Sequence, residues 1–516
     1  MSPPDFLADR LSDPARRTAT AATGGARVSV GQGTGTGTGT GTGATSPSVL
    51  RTMNAASVLR LAWTRDVVTA SDLVAETGLS RSTVIGVCDD LLDRGWFTLL
   101  PDARSTDAYR KGRPARRWAL AHRAGLVVGV DAGQHHVTAR VADLHGTTLG
   151  QAEVRLPADL VGAAGAGAGG AGTAPTPVAT GGAGPTRASG PAVTDATSAT
   201  DPARSSGPLG AHDAARVAGA HVIATDPEDA ARRDAARREA VAGVVRDALA
   251  DADATEDAVL AIVVGVPAPV DAAGRSPVEV ASDFWLRMNP SYVDRLALGR
   301  ATVVVENDAN LAALAETDAP HGLGTGSSVT LLAGERFGAG LVLDGGLRRG
   351  ARGAAGEMRL LDLVEGVGSS DGIGAVLRDW AREDRAAGRV PDGTPLAAVP
   401  VDDLAAPAVL AAADAGDPTA LALVERLAQR LARIGAVLSG LLDVDRIVVA
   451  GAVAPSIGLL VSRTTPHLAA LSYRQPPEVL ASRLGEHVVT VGAVARALAH
   501  VREHALELAL PGAARA

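Results

Sequence analysis

Val67 to Gly95 (VVTASDLVAETGLSRSTVIGVCDDLLDRG) carries the start and stop signals of two short helices joined by a glycine turn, ahead of a much longer body with a different grammar. Thr69 is suited to cap the first helix, with Asp72 three residues on to complete a capping box and favour the positive end of the helix dipole. Gly78 ends that helix, because glycine enters the left-handed conformation without steric cost, and Leu79 fills the gap between the helices. Ser80 caps the next one. In it Val84, Val87, Cys88, Leu91 and Leu92 recur at helical spacing and turn inward, leaving Arg81, Ser82, Thr83, Ile85, Gly86 and Asp89 outward. The outward first turn is short, polar and led by an arginine. Such an end enters a major groove and sets donors against base edges and phosphates.

Amphipathic helix pairs with a glycine turn also occur in ordinary helical domains, so the pattern alone leaves both readings open. The next two dozen residues favour DNA. Trp96-Phe97-Thr98-Leu99-Leu100 and Arg116-Arg117-Trp118-Ala119-Leu120 read as two strands flanking a wing that holds Arg110, Lys111, Gly112, Arg113 and Pro114. Lys111 is the only lysine in the chain, so the cluster is no by-product of a lysine-rich surface. Residues 48–123 hold 12 basic and 8 acidic side chains, whereas the whole chain carries a formal charge of −8. Positive charge is concentrated where phosphates would lie.

With 516 residues and 46% hydrophobic content, two or three domains are expected. Cys88 has no partner, which excludes disulfides and a cysteine-based metal site and fits a reducing compartment. No charge-free apolar stretch of membrane-spanning length appears, and the N-terminus lacks the order of a secretion signal, so a cytoplasmic protein with no membrane partner is expected. Residues 1–47, ending in a Gly-Thr repeat, and residues from about 158 to 218, dominated by Ala, Gly, Thr, Pro and Ser, lack the apolar side chains to offset ordering entropy. Both are expected to be disordered, the second as an insertion in a surface loop.

The body opens with the apolar run Gly125–Gly133, ending in Asp131-Ala132-Gly133, and a hairpin partner comes at Val137–Leu144. The same grammar returns at Val259–Pro267, Ala301–Glu306, Ser328–Leu343 and Arg446–Val453. These runs alternate with helical stretches at Leu311–Glu316, Gly372–Asp384 and Ala420–Leu442, as α/β lobes do.

Here the residues resemble a family. GVPAPVD (265–271), VVVENDANLAALAE (303–316) and GAGLVLDGGLRRGARGAAGE (338–357) look like the ROK family of repressors and sugar kinases. The head with its Gly112-Arg113-Pro114 wing, preceded by Arg51, Asn54 and Leu59, is similar to that of ROK transcriptional regulators. The likeness covers residues 48 to about 156 and 225 to 500 in family order. It implies an α/β protein: an N-terminal winged helix-turn-helix followed by a two-lobed, actin-like and ribonuclease-H-like ATPase fold with a sugar cleft, in a homodimer or larger assembly. The expected divisions are a disordered segment at 1–47, the winged helix at 48–122, a first lobe at 123–310 and a second at 311–516.

By that resemblance Asn307 is a sugar contact, Asp308 the general base of the kinases, and Glu357 the glutamate that grips sugar hydroxyls. Carboxylates and an amide supply acceptors and donors to adjacent hydroxyls, and a desolvated aspartate takes a proton from one of them. The nucleotide half departs from the pattern. The first phosphate loop reads Asp131, Ala132, Gly133, Gln134, His135, His136, without the family's threonine and lysine, and the second reads Gly334, Glu335, Arg336, Phe337, Gly338. A carboxylate at Glu335 adds repulsion of about 4 kcal/mol at ~4 Å and an effective dielectric near 20, roughly a thousandfold in affinity, offset in part by Arg336. The hinge Val449–Val453 only partly keeps the family's adenosine contact. Where zinc-binding members have a histidine stands Leu360, and Gly366–Gly374 holds no cysteine, so no metal or other cofactor is expected. His321 and the pair His135-His136 read as ordinary loop histidines, and the stretch Ala281–Phe284 lacks the family's sugar-contacting asparagine.

These features describe a transcriptional regulator, a repressor, that binds a double-stranded, pseudo-palindromic operator through Arg81, Ser82 and Thr83 in the major groove and Arg113, with Pro114, in an adjacent minor groove. A sugar effector at Asn307, Asp308 and Glu357 steers it, and no ATP chemistry is expected. The alternatives are an ATP-dependent sugar kinase that uses Asp308 through an altered loop, and a DNA-binding scaffold that answers to no ligand.

Overall fold

A computed structural model of the chain describes residues 47–101, 116–157, 160, 226–278, 282–318, 326–508 and 510. Lys111, Arg113 and Pro114 of the expected wing, Ala281, His321, the segment up to Ser46 and all of the 158–218 segment except Leu160 lie outside the described residues.

The head is built from helices α1 (Pro47–Ala62), α2 (Ala70–Thr77) and α3 (Arg81–Asp93) with strands β1 (Val68–Thr69), β2 (Phe97–Leu100) and β3 (Arg117–Leu120), antiparallel in the order β1-β3-β2. Its punctuation is the expected one. Thr69 Oγ1 accepts from the Asp72 amide at 3.3 Å while Asp72 Oδ2 accepts from the Thr69 amide at 2.9 Å. Those bonds hold the Asp72 carboxyl below the usual carboxylate range, the Thr69 side chain contributing most. Gly78 sits at φ 69°, and Ser80 Oγ accepts from the Thr83 amide at 3.2 Å. Val84, Cys88 and Leu91 are buried against Leu59, Leu73, Trp96 and Trp118.

The body contains two five-stranded sheets. The first runs β6-β5-β4-β7-β8, from β4 (Leu126–Ala132), β5 (His136–Asp143), β6 (Thr148–Arg155), β7 (Val259–Val266) and β8 (Thr302–Asn307). The second runs β11-β10-β9-β12-β13, from β9 (Ser328–Ala333), β10 (Phe337–Leu343), β11 (Gly346–Leu347), β12 (Arg446–Ala450) and β13 (Glu478–Ala481). Both are mixed: β4, β7 and β8 are parallel, as are β9, β12 and β13, and hairpins close the other side. Every residue of β7 (VLAIVVGV) is buried, so this strand needs cover on both faces. Helix α4 (Pro227–Asp251) supplies one cover through Val241, Val244, Val245 and Ala248, packed with Val128, Val130, Ile262 and Val264.

The other cover comes from the far end of the chain. Chain order puts residues 311–516 as a block in the second lobe, but their last helix, α9 (Val488–His504), packs on the first sheet through Val489, Ala493, Val494 and Ala497. The first lobe needs an apolar partner for its second face, and nothing local in the sequence indicates which helix fills it. Between α9 and the second sheet lies α5 (Asp308–Asp318). A Cβ on Gly340 of β10 would stand 2.1 Å from the Ala309 carbonyl oxygen, and one on Gly492 of α9 would stand 1.8 Å from that of Leu311, so backbone meets backbone on both sides of α5. Helices α6 (Ile373–Ala386), α7 (Pro418–Leu442) and α8 (Gly458–Leu471) belong to the second lobe, α6 and α7 covering its sheet with Ile373, Leu377, Leu427 and Leu431.

Gly340→Val is therefore expected to lower stability by roughly 3 kcal/mol, since the added atoms meet backbone that cannot rotate away. Gly243→Ala, in the interior of α4 with open space where its Cβ would go, is expected to raise it by about 1 kcal/mol. Denaturant midpoints of the two variants should move in opposite directions.

Candidate functional site

Where β8 ends and α5 begins, Asn307 and Asp308 face a cavity of about 720 Å³ between the two sheets. Asn307 is 9% exposed and largely committed to the fold: Oδ1 accepts from the Asn310 amide at 3.0 Å, and Nδ2 donates to the Ala268 carbonyl at 3.1 Å. One N–H of its amide is left for a ligand. Asp308 Oδ1 accepts from the Ala309 amide at 2.7 Å. Burial, and next the neighbouring Asp131 carboxylate, push the Asp308 carboxyl well above its usual range, with Glu357 adding to the shift. Asp131, at the end of β4, is itself pushed up to about 6 by burial, partly relieved by His136 and Arg237.

Glu357 enters the cavity from the second lobe. Gly356 at φ 87° turns the chain so tightly under β10 that a Cβ there would stand 1.7 Å from the Ala339 carbonyl oxygen, and Glu357 then bridges to Gly338. The cavity thus gathers Asn307, Asp308 and Glu357, as the sequence suggested. It also gathers residues the sequence did not single out as ligands: Ser282, Phe284 and Trp285 on one wall and Glu486, Val488 and Val489 on another. His135 and His136, which read as ordinary loop histidines, line the same cavity. Burial holds the His135 imidazole below its usual range, against an opposing pull from Glu335.

Two buried groups shape this site and gave no recognisable signal in the sequence. Glu306, 4% exposed, accepts from Asn310 Nδ2 at 2.9 Å and pairs with Arg349 at 2.6 Å, tying the end of β8 to the segment that delivers Glu357. Arg237, 2% exposed in α4, donates to the carbonyls of Ala132 and Gly133 at 2.8 and 2.6 Å and so fixes the end of β4. Arg237 sits in a charged run that looks like a solvated helix face, and Glu306 closes an apolar strand run where a carboxylate looks like the start of a turn.

The altered second phosphate loop behaves differently from the expectation. Glu335 is not offset by Arg336. Arg378, from α6, donates to its carboxylate at 2.6 Å, while Arg336 reaches Ser370 Oγ at 3.2 Å. The Glu335 charge is therefore neutralised in place, and the repulsion expected of a bare carboxylate does not apply. What remains is an ion pair standing in the loop, whose carbonyls at Gly334 and Glu335 accept from the amides of Gly374 and Gly372 at 3.1 and 2.9 Å.

Zinc does not fit the residues present. Leu360 is 70% exposed, the stretch Gly366–Gly374 offers hydroxyls and one carboxylate but no thiolate or imidazole, and no group of three or more metal-ligating side chains occurs among the described residues.

On the head, Arg81 and Ser82 are exposed and Thr83 half-buried in the first turn of α3. Ser80 Oγ lies 3.0 Å from Ser82 Oγ and 2.8 Å from Thr83 Oγ1, so the hydroxyls share one small network. Asp89, also turned outward, pairs with Arg116 at 2.7 Å, which removes an uncompensated negative charge from that face. No helix among the described residues is long and apolar enough to cross a membrane.

Two five-stranded mixed sheets facing a cleft across shared helices define an α/β body of the actin-like, sugar-kinase-like class. The chain belongs to the ROK family, whose model matches residues 220–500. A glucokinase from Halalkalibacterium halodurans is 28% identical over 183 residues, which is 33% of this chain and 54% of that enzyme, so the chain spans about half the length of this curated relative. Among solved structures, a ROK family transcriptional regulator described as a homologue of the E. coli MLC protein superposes with a TM-score of 0.55 at 19% identity, covering 87% of this chain and 96% of that one. A ROK family glucokinase from Streptomyces griseus, solved with glucose and AMPPNP, gives a TM-score of 0.48 at 22% identity, covering 72% of this chain and 99% of that enzyme.

Asp131 and Asp308 are both shifted upward, so the folded protein holds protons that the unfolded chain has released. Their contribution to stability is complete below roughly pH 4 and is lost as pH rises through about 6 for Asp131, and on through the raised value of Asp308. Asp308→Asn removes that cost. Its Tm is expected to equal the parent's at about pH 4 and to exceed it by several degrees at about pH 7.5; equal values at both would contradict a buried, destabilised carboxylate.

Proposed function

We propose that this protein is a DNA-binding transcriptional regulator, a repressor, whose head is a winged helix-turn-helix and whose cleft takes a sugar or sugar derivative in place of performing ATP chemistry. One observation carries the reading: helix α9 touches the ligand cavity at one end and the head at the other. Val488 and Val489 line the cavity, while Arg502 stands over Trp63 with its guanidinium carbon 5.9 Å from the ring centroid. Just beyond α9, the Leu506 carbonyl accepts from Arg94 of the head. Trp63 Nε1 donates to the Leu144 carbonyl at 3.1 Å, and the Leu144 amide donates to the His122 carbonyl at 2.9 Å, adding a second tie between head and first lobe. The 87% match to the regulator supports the same reading, because residues 123–516 alone could not supply that coverage.

In operation, sugar hydroxyls bond Asp308, Glu357 and the spare Asn307 N–H, drawing the second lobe towards the first. The motion passes along α9 to the head and alters the spacing or orientation of the two heads of a homodimer on a pseudo-palindromic operator. To carry the equilibrium from 1:99 to 99:1 the effector must prefer one arrangement by about ten thousandfold. On DNA, Arg81, Ser82 and Thr83 meet the major groove, and Arg113 with Pro114 meets the minor groove. The missing threonine and lysine of the first loop support the loss of ATP use, and the donor set supports a regulator without zinc.

A second reading rests on Asp308. A carboxyl whose proton affinity is raised by burial suits a general base for a sugar hydroxyl, and the glucokinase relative is consistent with it. ADP release with hexoses and amino sugars decides: steady turnover makes the protein a kinase, and none leaves the regulator standing. In the same preparation, fragments of the source genome selected by the protein should share an operator. Arg81→Ala is expected to weaken binding to that operator roughly tenfold to a hundredfold, and undiminished affinity in a salt titration would remove Arg81 from the interface. Sugar-dependent Tm increases, abolished in Glu357→Ala, separate a sensor from a ligand-independent scaffold.

A further inference from the structure

A second cavity, of about 520 Å³, lies in the second lobe between α6, α7 and the Asp362–Gly368 segment, and shares no lining residue with the cleft. Its floor is one face of α7, where Arg426, Arg430 and Arg433 stand at successive spacings of four and three. Like charges at those spacings repel one another along a helix. Among the described residues none of the three forms an ion pair with a carboxylate. The middle one is the most telling. Arg430 is 3% exposed, its Nε donates to the Val367 carbonyl at 3.0 Å, and one terminal nitrogen donates to the Ser369 and Asp371 carbonyls at 2.7 and 2.9 Å. The other terminal nitrogen, Nη1, is buried with no partner among the described residues. Burial draws this guanidinium down to about 10, against a smaller opposing pull from the Asp371 carboxylate.

The flanking arginines are held ready for a ligand. Arg426 stands over Trp380, its guanidinium carbon 3.8 Å from the ring centroid, a cation–π contact that leaves its N–H groups to offer. Arg433 donates to the Gln429 carbonyl at 3.3 Å through Nη1, with its remaining N–H groups to offer. The planar forks of Arg426 and Arg433, with the buried Arg430 guanidinium behind them, suit the tetrahedral oxygens of a phosphoryl group better than point charges would. The cavity exceeds what a phosphate alone would fill, and its remaining wall carries Asp362 and Glu365, acceptors for hydroxyl hydrogens.

We propose that this cavity binds a phosphate group, presented as the monoester of a small polyhydroxylated molecule, at a site separate from the cleft. The phosphoryl oxygens take the N–H groups of Arg426 and Arg433, and the hydroxyls take Asp362 and Glu365. The site does not depend on whether the cleft holds a sugar, and it gives the protein a second input.

Calorimetric titration with glucose 6-phosphate, inorganic phosphate and glucose tests this on the full chain. In the Asp308→Asn background, which disables the cleft, saturable one-to-one binding of the ester is expected, weakened at least tenfold by adding either Arg426→Gln or Arg433→Gln. Inorganic phosphate binding as tightly as the ester would assign the site to the free ion, and phosphate binding more weakly would assign it to the ester; both uphold a phosphoryl site. Absence of binding by either, binding indifferent to the two arginine variants, or binding lost in Asp308→Asn would overturn it. Both variants replace side chains outside the core, so a near-parental Tm certifies that loss of binding is not loss of fold.

Discussion

Two helices with their backbones in contact, α5 and α9, join the two sheets of this protein. Helix α5 meets β10 at Gly340 and α9 at Gly492, and α9 meets β4, where a Cβ on Gly129 would stand 2.6 Å from the Thr490 carbonyl oxygen. Contacts this close leave no room for side chains to absorb a displacement, so a shift of one sheet is passed on as a shift of the helices. Asp308 is the first residue of α5, and Val488 and Val489 begin α9. The cavity therefore opens at the N-terminal ends of the two elements that hold the lobes together.

The cavity's chemistry derives from that position. Asp131, Asp308 and Glu357 arrive from three different parts of the chain, at the end of β4, the start of α5 and the turn after Gly356. Burial raises the first two, and the Asp131 carboxylate adds to the shift at Asp308. The phosphate-loop side is settled differently. There Arg378 pairs with Glu335 and also with Asp379 at 2.9 Å, so the Glu335 carboxylate has a partner within the protein.

Much of the architecture was readable in the residues because it rests on local signals. Capping residues, the left-handed Gly78 and the apolar periodicity of α3 act within a few positions, and each stands where the sequence placed it. The fully apolar β7 announced a central strand in the same way. The failures have a common cause. The return of α9 to the first sheet, the pairing of Glu335 with Arg378 instead of Arg336, the burial of Glu306 and Arg237, and the arrival of His135 and His136 in the cleft all depend on which distant segment comes close. A charged residue reads the same in a solvated run as in a buried one until its neighbours are known.

The sequence by itself determined the kinds of elements, their order, the polar and basic first turn of α3, and the trio Asn307, Asp308 and Glu357, because caps, periodicity and motifs are short-range properties of the chain. Only the tertiary structure decided that one C-terminal helix would run from the ligand cavity to the head, that a second cavity would gather Arg426, Arg430 and Arg433 beside Trp380, and how far each buried carboxyl would be raised. Those outcomes depend on burial and on distances between charges, which arise only when segments far apart in sequence close around one another.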